Sequence, residues 1–325
     1  RQMCIRDRNQ EALLTVAQST GCDGIHPGYG FLSENGEFAD ACARQGLAFI
    51  GPSGDTIRRA GSKSAAKTLM KQAGVPVTPG SDGPVDSVEA ARDAAKAVGY
   101  PVLLKASAGG GGRGIRRVYR EEDLQEAFES AQAEAVACFG NGEMYLEKLI
   151  LRPRHIEVQV LADRHGHVIS LGDRDCSVQR RNQKLLEEAP AWGLSPTLRE
   201  EMGQAAVRAA RAVGYESAGT VEFLLDPDGN HFYFMEMNTR IQVEPPVTEL
   251  VSGLDLIKEQ IFIAAGEKLQ WKQKDIHITG HAIECRLNAE NPAKNFMPCP
   301  GKIDYLHLPG GNGVRIDSAI YTGYT

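Results

Sequence analysis

The segment that most restricts the fold is Lys105-Ala106-Ser107-Ala108-Gly109-Gly110-Gly111-Gly112-Arg113-Gly114, because of what flanks it. Consecutive glycines let backbone N–H groups close around phosphate oxygens, and Lys105 can offset the phosphate charge. A P-loop requires G-x-x-x-x-G-K-[ST] opening into a helix. Here Val102-Leu103-Leu104 precedes the run and Ile115 to Val118 follows it, and both read as strands. The loop therefore caps a β-hairpin, a geometry that suits a mobile lid over a nucleotide. Gly61-Ser62-Lys63-Ser64 misses the P-loop pattern as well. A glycine run alone serves equally as a linker; the cations at 105 and 113 favour the phosphate reading.

Residues 9 to 60 alternate helix and strand signals. Asp23–His26 and Ala48–Ile50 read as strands around a helix from Phe38 to Arg44, a βαβ pattern that predicts a parallel sheet. Ser62–Gln72 reads as a helix closed by Gly74 and Pro76. After the lid hairpin, Leu124, Ala127, Phe128, Ala131 and Ala135 share one helical face, and Met144–Lys148 reads as a strand. From 151 onward the strands lengthen. Ile156, Val158 and Val160 face one way, Glu157 and Gln159 the other, and Asp163-Arg164-His165-Gly166 turns the chain. Ser195-Pro196 opens a helix as N-cap and N1, and Gly214 ends it.

A second hairpin, Thr220 to Asn238, turns at Asp226-Pro227-Asp228-Gly229. Centred on Gly229, it pairs residues whose numbers sum to 458 and sets Glu222 opposite Glu236, with Asn238 on the same face. Facing carboxylates repel unless something offsets them. A hard divalent cation does so, which makes Glu222, Glu236 and Asn238 candidate ligands of Mg²⁺ or Mn²⁺. Directly after them, Arg240, Gln242 and Glu244 are spaced by two, so an extended segment aims a cation, an amide and a general base at one place. The forked guanidinium suits a small planar oxyanion. Asp173 to Lys184 adds further cations, although such a run is more often a charged surface loop.

A net charge of −6 lacks the basic excess of a nucleic-acid binder, and no apolar run approaches a membrane span. The seven cysteines are scattered without a C-x-x-C pair, which fits reduced thiols and a cytoplasmic location. Residues 1–8 lack periodicity and read as a non-native start, and the sequence reads as truncated at both ends.

In this order, five segments resemble biotin carboxylase: His26-Pro27-Gly28-Tyr29-Gly30-Phe31-Leu32-Ser33-Glu34-Asn35, the Lys105 glycine loop, Asp175-Cys176-Ser177-Val178-Gln179-Arg180-Arg181, Glu236 to Glu244, and Glu284-Cys285-Arg286-Leu287-Asn288-Ala289-Glu290. The resemblance runs from about Asn9 to Thr325 and implies an α/β ATP-grasp fold. On it, 9–60 is a partial N-terminal parallel-sheet domain, 61–76 a linker helix, 77–150 the mobile lid, 151–275 the catalytic core, and 276–325 the start of an α+β C-terminal domain.

The implied chemistry is carboxylation of biotin, carried on a biotin carboxyl carrier protein, from ATP and bicarbonate through carboxyphosphate. That is the first half-reaction of acetyl-CoA carboxylase or a related acyl-CoA carboxylase. Residue by residue, Lys63, Lys105, Gly111 and Gly112 would bind ATP phosphates, and Glu147, Lys148, Leu149 and Ile150 the adenine, with His155, Gln179 and Asn182 lining the pocket. Glu222, Glu236 and Asn238 would hold two Mg²⁺ or Mn²⁺ ions. Lys184, Arg240, Gln242 and Val243 would hold bicarbonate, Glu244 would deprotonate it, and Arg286 would stabilise the biotin ureido oxyanion. A carboxyltransferase partner and a homodimer of the full-length protein are implied too; nucleic acid and membrane partners are not.

The sequence departs from the family pattern at Asn182 and Pro245, both usually histidine, and at Ala108. Proline removes a backbone N–H and fixes φ, so Pro245 is expected to shift Glu244 slightly. The competing readings are another ATP-grasp ligase, such as a carbamoyl-phosphate-synthetase-like enzyme, and a non-catalytic nucleotide-binding module.

Overall fold

The computed structural model describes residues 8–61, 63–81, 83–106 and 114–325, without the side chains of Lys63, Ser64 and Phe139. The lid glycines Gly111 and Gly112, the Lys63 side chain and residues 1–7 therefore lie outside the described residues. The described chain divides into one unit ending at Glu284 and a second over Cys285–Thr325.

The first unit opens with α1 (Gln10–Ser19), β1 (Gly24–Ile25), α2 (Gly36–Arg44), β2 (Ala48–Phe49) and α3 (Gly54–Gly61). Asn9 and Asn35 cap the first two helices, each side-chain oxygen accepting from a backbone N–H three residues on, Ala12 at 3.1 Å and Phe38 at 2.8 Å. β1 and β2 pair in parallel, as the βαβ pattern predicts, in shorter strands than the sequence suggests. Leu14, Phe38, Cys42, Phe49 and Ile57 close a small core around them.

Helix α4 (Lys63–Gln72) leads to a second layered body: α5 (Val88–Val98), β3 (Val102–Ala106), β4 (Ile115–Val118), α6 (Leu124–Phe139) and β5 (Met144–Lys148). The three strands form an antiparallel sheet in the order β4-β3-β5. Leu124, Phe128, Ala131 and Ala135 of α6 are buried on it, the face that the helical spacing predicts. Strands β3 and β4 form an antiparallel hairpin in which Lys105 pairs with Ile115; the glycines between them in sequence up to Gly112 lie outside the described residues.

The largest sheet joins β6 (Arg154–Ala162), β7 (Val168–Arg180), β8 (Gln183–Ala189), β9 (Ser217–Leu225) and β10 (Phe232–Asn238) in the order β10-β9-β6-β7-β8, with β11 (Ala282–Cys285) at the edge beyond β8. Helix α7 (Pro196–Val213) covers one face. Ser195 Oγ caps it at 3.2 Å from Leu198 N, and Gly214 ends it with φ 66°. Its buried stripe of Leu198, Met202, Ala205, Ala206, Ala209, Ala210 and Val213 packs with Ile156, Val158 and Val160 of β6. The alanines let helix and sheet approach closely, and Met202→Ala there should cost about 2–5 kcal/mol. The other face of β6 carries Glu157 and Gln159, and both are fully buried too. A sheet face that is polar yet removed from water requires a roof. It is supplied by residues 239–244 with α8 (Pro245–Ser252) and, further along, α9 (Leu256–Ala264).

The β9–β10 hairpin departs from a uniform register. Phe232↔Leu225 to Phe234↔Phe223 sum to 457, and Glu236↔Glu222 to Asn238↔Thr220 sum to 458. A bulge at Met235 makes the change, so Glu222 does face Glu236 but through one extra residue in β10. The second unit holds the short antiparallel pair β12 (Glu290–Asn291) and β13 (Met297–Pro298).

Candidate active site

The polar face of the large sheet gathers one lysine among three carboxylates. Lys184, near the start of β8, places Nζ 2.6 Å from Glu157 Oε2, 2.9 Å from Glu222 Oε1 and 2.6 Å from Glu244 Oε1. Glu157 sits on β6, Glu222 on β9, and Glu244 just before α8, so the lysine ties together three parts of the core. Burial pulls the Lys184 pKa down, but the three carboxylates outweigh it and hold the ammonium well above its usual value. Glu222 is pushed up by burial and pulled down harder by His155 and Lys184, to about 2. His155 is likewise lowered by burial and raised more by Glu222 and Glu157, leaving it above 6.5. Its Nε2 lies 3.1 Å from Glu222 Oε2, an ion contact set off the line of a hydrogen bond. Gln179 Nε2 donates to His155 Nδ1 at 3.1 Å and to the Cys176 carbonyl at 2.8 Å, which fixes the ring.

Asn238 and Gln242 add amide donors to Glu222 Oε1, at 2.9 and 3.1 Å. Arg240 then bonds Asn238 Oδ1 at 3.0 Å and reaches Glu34 Oε2 at 3.1 Å. The segment Arg240–Glu244 is bent and not an extended strand, yet Gln242 and Glu244 still converge on the cluster and Arg240 joins it through Asn238. Val243 is half-buried between them.

Pro245 leaves Glu244 within the cluster. Pro245 is the first residue of α8, where a backbone N–H has no intrahelical partner to lose, and Glu244 keeps its 2.6 Å contact with Lys184. Asn182 has a local structural reason to be where it is. With Arg181 it forms the two-residue β7–β8 turn, at φ 52° and 62°, and it is exposed. Turns with both central residues at positive φ favour Asn, so the residue answers a hairpin requirement. The run from Asp173 to Lys184 is not a surface loop: it is this hairpin, with Asp173, Arg174 and Cys176 buried.

The metal reading changes in its basis. Glu236 is exposed while Glu222 is buried. The repulsion argument no longer requires an ion, because Lys184, His155, Asn238 and Gln242 already surround Glu222. The donor chemistry still fits one. Glu222 and Asn238 adjoin, Glu236 is directly across the strand, and His155, Glu157 and Glu222 offer ligand atoms within 4.8 Å of one another.

A second polar centre lies on the small sheet. Glu147 on β5 receives Lys105 Nζ at 2.5 Å and Lys67 Nζ at 3.1 Å. Leu103 pairs with Glu147, so Lys105, two residues on, shares its face. Lys148 turns to the carbonyls of Gly99 and Tyr100, both at 2.9 Å, and Leu149 N donates to the Pro101 carbonyl at 3.0 Å, so this end of β5 is anchored to the loop before β3. Leu149 and Ile150 are half-buried. Arg286 belongs to the second unit and is half-buried there.

Sequence reasoning gave no role to Glu157, Arg174, Lys67 or Glu34. For Glu157 a signal existed, an acid alternating with Ile156, Val158 and Val160; for the others the partners are distant in sequence and left none.

Family models match three stretches: biotin carboxylase, N-terminal domain, over residues 7–57; carbamoyl-phosphate synthase L chain, ATP binding domain, over 62–272; and biotin carboxylase C-terminal domain over 284–325. Biotin carboxylase 1 of Bacillus subtilis is 56% identical over 317 residues, which cover 98% of this chain and 70% of that protein. The crystal structure of a Campylobacter jejuni biotin carboxylase complex with β-γ-ATP superposes with a TM-score of 0.90 at 51% identity, over 98% of this chain and 70% of that one. The biotin carboxylase domain dimer of Hydrogenobacter thermophilus 2-oxoglutarate carboxylase, bound to MgADP, ADP and bicarbonate, gives 0.88 at 54% identity, with the same shares.

Proposed function

The chain belongs to the biotin carboxylase family, and from that premise we propose that it carboxylates biotin with ATP and bicarbonate, using the Lys184 cluster as its reaction centre. The observation that carries the reading is the convergence of Glu222 and Glu244 on Lys184, with Asn238 and Gln242 bonded to Glu222 and Arg240 to Asn238, on the polar face of the large sheet.

In this reading Lys105, with Lys63 and the glycine lid, receives the ATP phosphates, and Glu147 to Ile150 line the adenine site with His155 and Gln179. Asn182, on the exposed turn beyond Gln179, has the weakest part in that pocket. Glu222, Glu236 and Asn238 would hold Mg²⁺ or Mn²⁺ ions, which neutralise phosphate charge when bound. Lys184, Arg240, Gln242 and Val243 orient bicarbonate, and Glu244 takes its proton. The bicarbonate oxygen then attacks the γ-phosphorus and ADP leaves. The resulting carboxyphosphate splits into CO₂ and a phosphate basic enough to take the ureido proton of biotin. Arg286 stabilises the ureido oxyanion, and the nitrogen attacks CO₂. The lid excludes water that would hydrolyse the intermediate.

The partners that follow are a biotin carboxyl carrier protein, a carboxyltransferase and a second copy of the chain. The acceptor beyond biotin belongs to the carboxyltransferase. Among the described residues no helix is long and apolar enough to cross a membrane. Six cysteines there carry free thiols, which supports a cytoplasmic setting.

Phosphate release from ATP with Mg²⁺ and bicarbonate, with and without free biotin, tests the reading. Release that rises with biotin and collapses in Glu244→Gln is expected. Release indifferent to biotin would leave an ATP-grasp ligase for another acid, and nucleotide binding without release a non-catalytic module.

A further inference from the structure

Arg174 on β7 has no solvent exposure. Its guanidinium makes five hydrogen bonds. Nε donates to Glu157 Oε1 at 2.6 Å, one terminal nitrogen to Gln159 Oε1 and Thr248 Oγ1, both at 2.8 Å, and the other to Thr220 Oγ1 at 3.2 Å and Gln242 Oε1 at 3.4 Å. A guanidinium has five N–H donors and no acceptor. All of them are therefore engaged, and none is left for a substrate. Whatever Arg174 does, it does through the side chains it holds.

What it holds is informative. Facing a group that can only donate, Gln242 must turn its oxygen to Arg174, and its NH₂ then points the other way, to Glu222 Oε1 at 3.1 Å. Gln159 is sorted in the same manner, its oxygen on Arg174 and its NH₂ on the Gly219 carbonyl at 2.9 Å. Glu157 has Oε1 occupied by Arg174 and is left with Oε2 for Lys184, at 2.6 Å. An amide at a small-anion site is useful in one orientation only, because its oxygen would repel the anion and its NH₂ would bind it.

We propose that Arg174 is a positioning residue that fixes the donor face of Gln242 toward the oxyanion site and the free oxygen of Glu157 toward Lys184, thereby setting the affinity for bicarbonate. The proposal rests on the functional reading above, in which Gln242 contacts bicarbonate. Lysine at 174 keeps the positive charge but has three donors on one nitrogen, too few and too clustered for five acceptors on four segments.

The test is the KM for bicarbonate against the KM for ATP, from phosphate release. The wild-type chain comes first. If its release does not depend on bicarbonate, the functional reading fails and this proposal with it, before any variant is made. Given that dependence, Arg174→Lys should raise the KM for bicarbonate at least 10-fold and leave the KM for ATP within 2-fold. A purely structural role would move both constants together or neither, and either result would overturn the proposal.

Gln242→Ala supplies the coupling. It should raise the KM for bicarbonate about 10-fold alone and less than 2-fold on top of Arg174→Lys, whereas effects that multiply would refute the link. A third arm does not depend on the folding of any position-174 variant. Gln242→Glu keeps size and the Arg174 contact but replaces the donor with an acceptor, and it should weaken bicarbonate more than Gln242→Ala does. Bicarbonate binding as tight as wild type in Gln242→Glu would sink the proposal.

Discussion

The two polar centres have opposite stoichiometry. On the small sheet two lysines, Lys105 and Lys67, share one carboxylate, Glu147. On the large sheet one lysine, Lys184, is shared by three, Glu157, Glu222 and Glu244. The first has cationic charge to spare and attracts an anion with several oxygens. The second sets three carboxylates against Lys184 and Arg174, with His155 beside Glu222, a carboxylate-rich centre of the kind that the proposed metal ion would need. Their settings differ in the same sense. Lys105 is 39% exposed and can leave its partner for a ligand, while Lys184 is 13% exposed and enclosed. A loose positive centre suits a substrate that comes and goes; a tight negative one suits groups that must stay in place while a bond forms.

The largest effect that would break this contrast is expected at Lys184. Lys184→Met leaves three buried carboxylates without their shared cation, and should cost about 3–5 kcal/mol of stability, read as a fall in Tm, together with near-complete loss of phosphate release. A Tm within a degree or two of wild type would mean that the cluster is not held by the lysine. Lys105→Met should behave differently. Glu147 keeps Lys67, so Tm should barely move, while the Kd for ATP, read by calorimetry, rises about 10- to 100-fold, in the range of a lost charge-assisted contact.

A third prediction uses pH. Burial pushes the Glu147 carboxyl up, but Lys105 and Lys67 more than offset it and hold it below 4.5. A carboxylate with a depressed folded-state pKa contributes stability above its ordinary value and loses it as pH falls through the folded one. The opening free energy of β3 and β5, from hydrogen exchange corrected for the intrinsic rate, should therefore be flat from pH 7 to about 5 and fall below 4.5. In Glu147→Gln that fall should be absent. The smallest effect belongs to Asn182: Asn182→Gly should change Tm and the KM for ATP negligibly, since glycine tolerates the same φ. A KM shift of 5-fold or more would give Asn182 a full part in the nucleotide site.

What the sequence disclosed follows from distance along the chain. The βαβ opening, the α6 face and the pairing of Glu222 with Glu236 depend on neighbours or on a single hairpin, and period and turn chemistry reveal them. Arg174 did not stand out, because its five acceptors are spread from Glu157 to Thr248 and only tertiary packing unites them. Glu147 was assigned to adenine by resemblance; its ion pair with Lys67 crosses 80 positions and no local pattern encodes it. At Pro245 the cost of the missing backbone N–H depends on where the helix begins, and that boundary was not legible.

The bulge at Met235 acts as a phase shifter. Continued without it, the 457 pairing would bring Met235, not Glu236, opposite Glu222. Everything downstream on that strand, through Asn238 to the turn into α8, would arrive one step out of phase. The two arms of the hairpin are thus separate reading frames stitched at one residue, and the reactive segment takes its parity from the stitch. Deleting Met235 would take out the extra residue and leave Glu236 opposite Glu222 in an unbroken ladder; the spatial frameshift comes from flattening the bulge with Met235 in place, which would deliver every group after it to the opposite side of the sheet.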